Sequence, residues 1–177
     1  MPVNLPDLAL LEGVVAPRIL QALHVAAARL QELGVPFALA GGLAVGAHGH
    51  PRATKDVDFL VGDEAFEVHG AGLVTIAAGV PVQVGDVPVD ILSIRPEEAH
   101  LRDALARAKV SDGIPILPLA ALIYLKLKSP RRRDAADVVD LLRVASDPGE
   151  VRRYVSANAP GLLAKLDSLA AEAEERE

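Results

Sequence analysis

The chain has 177 residues, 51% hydrophobic and 24% charged, with a net charge of −6. It holds no cysteine, no tryptophan and only 3% aromatic residues, which excludes disulfide frameworks, thiolate metal sites and cysteine catalysis and speaks against an aromatic base-stacking platform. The acidic balance argues against a broad electrostatic grip on nucleic acid, while leaving room for a local basic patch.

Residues 1–16 read as a lead-in turn or short helix. Pro17 suits a first helical position, and Ile19, Leu20, Leu23, Ala27, Leu30 and Leu33 recur at helical spacing. Gly34 and Pro36 end that helix. The short apolar run Val35 to Ala40 predicts a buried strand, Gly41-Gly42 a turn, and the residues through His48 a short helix. A loop covers Gly49 to Lys55, and Val57 to Val61 predicts a second strand. Residues 63–69 read as a short helix, and Leu73 to Ala77 and Pro81 to Val84 as strands. Gly85-Asp86 predicts a hairpin turn into a strand over Val87 to Ile94. Pro96 to Ala106 reads as a helix with Glu97 and Glu98 in its first turn, and Val110 to Leu117 as a turn into a short strand. Helices follow at about 118–128, 133–145, 148–157 and 161–175, with AEAEERE as a charged, fraying end. The expected class is α+β: a mixed β-sheet flanked by helices, residues 1–117 forming a core and residues 118–177 a helical extension packed on it.

Two long uncharged stretches, residues 33–51 and 68–85, are broken by glycine and proline, so neither reads as a membrane span. The N-terminus lacks a basic segment before an apolar one, so no secretory signal is expected. A cytoplasmic protein follows as the expectation.

The chemistry concentrates in residues 38–61, ALAGGLAVGAHGHPRATKDVDFLV. Gly41 and Gly42 permit close backbone approach and expose N–H groups at a helix start, an arrangement that binds phosphate. A glycine pair alone equally fits an ordinary strand-to-helix turn. Asp56 and Asp58, two residues apart on a strand, share one face with Cα atoms about 6.6 Å apart. Two such carboxylates repel, so one holds a proton or a cation sits between them; hard oxygen ligands suit magnesium or manganese. Read blandly, they are two acids on the solvent face of an edge strand. Asp90, in the apolar run VPVDILSI, is costly there unless paired or metal-bound. If its strand lies beside that of Asp56 and Asp58, three carboxylates converge, which is what a two-cation phosphoryl-transfer site needs. Asp86 is the rival third acid, but its place in a turn suits it less.

A glycine pair after a strand, then Asp-x-Asp, then a separate Asp on a strand resembles the DNA polymerase beta-like nucleotidyltransferases; here 13 residues separate Gly42 from Asp56. More narrowly, Arg52, Thr54, Asp56 and Asp58, with KLKSPRRRDAADVVDLL further on, resemble the AbiEii-type toxins and related small bacterial nucleotidyltransferases. Lys126, Arg133, Asp134, Asp137, Asp140 and Leu141 match that downstream signature, and Ser129 stands where alanine is usual. The resemblance covers roughly residues 18 to 145.

It implies a nucleotidyltransferase fold and transfer of a nucleoside monophosphate from an NTP to a hydroxyl of RNA, protein or a small molecule, with Mg2+ or Mn2+. It also implies roles. Gly41 and Gly42 would hold the triphosphate, although many relatives carry a phosphate-contacting serine where Gly42 stands. Asp56 and Asp58 would bind the metals. Asp90 would complete the metal site and act as base or orient the acceptor. Lys126 would reach the nucleotide phosphates, and Arg52, Thr54 and Lys55 would lie with phosphate or acceptor. A toxin role with an antitoxin partner follows by the same likeness. The alternative is a nucleotide-binding regulatory module of this fold that acts through a protein partner without transfer.

The plainer readings are these. The five bases within residues 126–133 end one helix and start the next in solvent. Asp134, Asp137 and Asp140 line a polar helix face that pairs with those arginines. The five histidines are surface or loop residues, and Tyr124 is core.

Overall fold

The computed structural model describes residues 4–175. The chain opens in a single 3-10 turn, Leu8–Leu11, whose start is capped by Asp7 Oδ1 accepting from the Ala9 N–H at 2.9 Å. Helix α1, Pro17–Glu32, buries Ile19, Ala22, Leu23, Ala26, Ala27 and Leu30. That stripe is the 3.6-residue pattern read from the sequence, and each large side chain in it contributes roughly 1.5–3 kcal/mol of burial. Strand β1, Phe37–Ala40, is buried throughout and leads straight into helix α2, Gly41–Ala47.

Strand β2 spans Val57–Val61. Residues 63–69 correct the expectation of a helix: a 3-10 turn, Asp63–Ala65, passes into β3, Phe66–Val68, which forms a two-stranded ladder with β4, Val74–Ile76. The apolar pairs Phe66–Ile76 and Val68–Val74 lie across that ladder, a non-local gain that a short run cannot announce by itself. Strands β5, Gln83–Val84, and β6, Val87–Leu92, form the expected hairpin, with Gly85 at φ 59° in its turn.

The Pro96–Ala106 segment splits into a 3-10 turn and helix α3, His100–Ala106. The turn expected before one short strand is instead a complete hairpin. Strands β7, Lys109–Ser111, and β8, Ile114–Ile116, flank Asp112-Gly113. Both turn residues have positive φ, 47° and 76°, as the tight two-residue hairpin demands. Four helices close the chain: α4, Leu119–Lys128; α5, Arg132–Val144; α6, Pro148–Asn158; and α7, Leu163–Glu175. The charged end is therefore helical through Glu175, and Arg176 and Glu177 lie outside the described residues.

The main sheet runs β5-β6-β2-β1-β8-β7. β1 pairs antiparallel with β2 and parallel with β8, and β2 pairs parallel with β6. The sheet is thus mixed, as the α+β class required, with helices packed on it. Helix α1 lies against β2, β5 and β6, while α4 packs on α2, α5 and α6. One apolar core joins both parts of the chain: Phe59 and Leu39 of the sheet belong to the same buried cluster as Leu122 of α4, Val138 of α5 and Leu166 of α7. Phe37 and Phe59 meet edge to face at 5.3 Å. No described helix is long and apolar enough to cross a membrane.

Candidate active site

The parallel pairing of β2 with β6 sets Asp58 directly across from Asp90. Asp56 stands two residues before Asp58, just ahead of the strand, and so shares its face. One carboxylate oxygen from each of the three lies within 4.8 Å of the others. The condition set by the sequence, that the two strands be neighbours, is met. Asp86, the rival, sits elsewhere, in an exposed ion pair with Arg18 at 2.6 Å. Asp90 is exposed, so its strand alternates rather than lying buried on both faces; Val87 and Val89 point inward and Pro88 and Asp90 outward.

Among the described residues, no ion pair engages Asp56, Asp58 or Asp90. Burial first, then the Asp56 and Asp90 charges and a hydrogen bond with Asp90, push the Asp58 carboxyl up to about 7, with Lys126 opposing. Asp58 therefore holds its proton several pH units higher than an isolated carboxyl does. Three hard oxygen donors under mutual repulsion, with no nitrogen or sulfur ligand among them, fit a hard divalent cation such as magnesium or manganese.

The glycine pair lies at the foot of this group. Ala40 is the register partner of Asp58, so Gly41 follows immediately beside it. A Cβ on Gly41 would overlap the Asp58 carboxyl, and Gly41 also has φ 62°. Both facts reserve the position for glycine. A Cβ on Gly42 would stand 2.7 Å from Thr54 Oγ1 and 3.2 Å from the Arg52 guanidinium. Thr54 and Arg52 thus crowd over the start of α2. No side chain caps α2, whose far end is fixed by His48: its buried ring Nε2 donates to the Leu117 carbonyl at 2.8 Å. Burial lowers the His48 pKa, with the Leu117 bond opposing. His48 thus lies in the turn after α2, but buried there rather than at the surface.

All nine residues singled out in the sequence line one cavity of about 820 Å³: Gly41, Gly42, Arg52, Thr54, Lys55, Asp56, Asp58, Asp90 and Lys126. Residues of α4 and α5 line it as well. Asp137 is 2% exposed. It accepts two bonds from Arg52, from Nε at 2.9 Å and Nη2 at 2.8 Å, and pairs with Lys126 Nζ at 2.8 Å. Lys126 also donates to Asp134 at 2.6 Å. Burial pushes the Asp134 carboxyl up, but hydrogen bonds with Lys126 and Ser129 outweigh it and leave the carboxyl below the usual range.

So Asp137 is no solvated helix face. It anchors both cations from behind the cavity. Asp140 points away, 3.0 Å from His50 Nε2. Tyr124 is core as expected, 5% exposed, with its hydroxyl donating to Glu98 at 2.8 Å. Lys128 joins Glu98 as well, on that other side of α4.

The cavity also takes in residues not singled out for it beforehand: Ser129, Arg131, Arg133 and Asp134 among the polar ones, and Leu92, Leu122 and Leu125 among the apolar ones. The Arg-Asp doublet at 133–134 was the available signal for two of them.

No family model matches the chain, and no curated protein does. Among solved structures, the chain is similar to an antigenic nucleotidyltransferase-like protein from Paracoccidioides brasiliensis. Identity is 16% and the TM-score 0.43, covering 82% of this chain and 90% of that one. It is also similar to ANT(2")-Ia in complex with adenylyl-2"-tobramycin, at 17% identity and a TM-score of 0.37, covering 91% and 99%. At such TM-scores neither likeness bears on activity, and the functional reading rests on the site itself.

Proposed function

We propose that this protein is a metal-dependent nucleotidyltransferase, moving a nucleoside monophosphate from an NTP to an acceptor hydroxyl and releasing pyrophosphate. The observation that carries the reading is the convergence of Asp56, Asp58 and Asp90 within 4.8 Å, beside Gly41-Gly42, in a cavity of about 820 Å³. The sequence resemblance supports it independently, since its two motifs meet in that cavity. In this reading residues 1–117 supply the catalytic core and residues 118–177 a helical extension.

Asp56, Asp58 and Asp90 would hold magnesium or manganese. Such a cation, when bound, neutralises polyphosphate charge and lowers the pKa of an attacking hydroxyl. The chain's own residues do the rest. Gly41 and Gly42 would offer backbone N–H groups to phosphate at the start of α2, and Thr54 places its hydroxyl where a side chain on residue 42 would stand. Asp90, the most exposed of the three acids, would receive the acceptor proton. Arg52 keeps Nη1 free of Asp137 and sits over Gly42. A toxin role and an antitoxin partner are expectations of the AbiEii resemblance alone.

The test is transfer. The protein is incubated with magnesium, each labelled NTP, total RNA and cell lysate, beside Asp58→Asn. Label on RNA, protein or small molecules that disappears in the variant is the expected result. Nucleotide binding with no transfer to any acceptor would favour the regulatory module instead, and absence of both nucleotide and magnesium binding sinks either reading.

A further inference from the structure

The basic run at 126–133 goes to three different places. Lys126 is buried against Asp134 and Asp137. Lys128 turns to Glu98 and the Tyr124 ring. Arg131 and Arg133 line the cavity, where Lys55 joins them from the loop before β2, whereas Arg132 does not line it. Lys55, Arg131 and Arg133 are all exposed. Among the described residues none of the three forms an ion pair. Arg133 donates one bond to the Ala53 carbonyl at 3.3 Å, and the Arg131 guanidinium acts on the Asp134 carboxylate through space.

This grouping is electrostatically awkward. Three like charges line one cavity, and two of them sit at the start of α5, where the helix dipole disfavours cations. The inner cations already have carboxylate partners. Asp137 takes Arg52 Nε and Nη2, and Lys126 divides its charge between two carboxylates. A ligand with several negative charges would relieve the outer group and leave the inner one intact.

We propose that Lys55, Arg131 and Arg133 form the subsite for the outer phosphates of the nucleoside triphosphate, and that Arg52 and Lys126, clamped by Asp137 and Asp134, line its inner wall. This rests on the nucleotidyltransferase reading of the cavity. The outer group makes the site selective for a triphosphate over a monophosphate. Charge-assisted, bidentate contacts from arginine to phosphate are the strong ones, so each arginine is worth about tenfold in affinity.

The test is a titration with magnesium present, using inorganic tripolyphosphate, ATP and AMP as probes. The proteins are the wild type, the double variant R131Q/R133Q, and R132Q as a neighbouring charge that does not line the cavity. The double variant is expected to lose on the order of a hundredfold in tripolyphosphate and ATP affinity, with AMP binding little changed and R132Q like wild type. Both arginines are exposed, so thermal melts of the double variant should match wild type.

Equal tripolyphosphate binding by wild type and double variant overturns the subsite, and ATP binding that survives there leaves the transferase reading standing. A loss in R132Q as large as in the double variant overturns it too, because net charge alone would then explain the effect. Tripolyphosphate binding that depends on Arg131 and Arg133, in a protein that binds no NTP, would keep the anion subsite and sink the transferase reading.

Discussion

Two groups of aspartates stand at one cavity, Asp137 of the second just behind its lining, and are treated in opposite ways. On the sheet wall Asp56, Asp58 and Asp90 stand together with no ion pair among the described residues, and Asp58 keeps a proton up to about pH 7. On the helical wall Asp134 and Asp137 are each matched by a cation, and Asp137 carries three bonds while nearly sealed from solvent. The residue type is the same, so the difference lies in compensation. The helical wall balances its charge internally, which is what a scaffold requires. The sheet wall leaves negative charge that the chain does not neutralise, which is what a cation-binding surface requires.

The sharpest way to break this contrast is activity. Asp58→Asn or Asp90→Asn should lower nucleotidyl transfer by roughly 1,000-fold or more, whereas Asp134→Asn should cost far less; initial rates with one labelled NTP measure both. Equal losses would erase the distinction between the two walls. Stability should invert the order. Asp137→Ala strands Arg52 and Lys126 without their buried partner and should cost about 3–5 kcal/mol, a fall in thermal midpoint of about 10 °C.

Asp58→Asn should act the other way. A carboxyl raised from 3.8 to about 7 favours the fold below pH 4 and loses that contribution as the pH climbs through 7. At pH 8 without divalent cation, the variant should therefore be more stable than wild type by on the order of 1–3 kcal/mol. Added magnesium should then raise the midpoint of wild type alone. The smallest effect belongs outside both walls. Asp86→Asn breaks an exposed pair with Arg18 and should change stability by no more than about 0.5 kcal/mol and activity not at all.

The sheet wall was the more legible of the two. Asp-x-Asp on a strand fixes a shared face through the two-residue period, and the third acid stood out as polar in an apolar run. Only the adjacency of β2 and β6 was missing, a non-local fact that no local pattern contains. The helical wall was half legible. Spacing three residues apart put Asp134, Asp137 and Asp140 on one polar face, yet Asp137 turns inward beside Val138 and Leu141, because a buried salt bridge admits a charge to an apolar stripe.

The run at 126–133 looked like one basic patch because sequence order hides direction. The turn at Ser129-Pro130 between α4 and α5 sends its members to different sides. The helix expected at 63–69 failed for a simpler reason: its residues gained more by pairing with β4 than by coiling.

Lys165, on the last helix, donates to the carbonyls of Leu127 and Ser129 at 2.7 and 3.0 Å. Its ammonium thus closes the end of α4 at the turn from which Lys126 and Arg131 depart. The geometry of the cavity is therefore held partly by a segment that contributes no atom to it. A protease nick in the connection at 159–162 would leave the sheet and every carboxylate in place while loosening the cationic wall. Intact and nicked protein would then share the same circular dichroism spectrum, and hydrogen exchange at residues 127–134 would tell them apart.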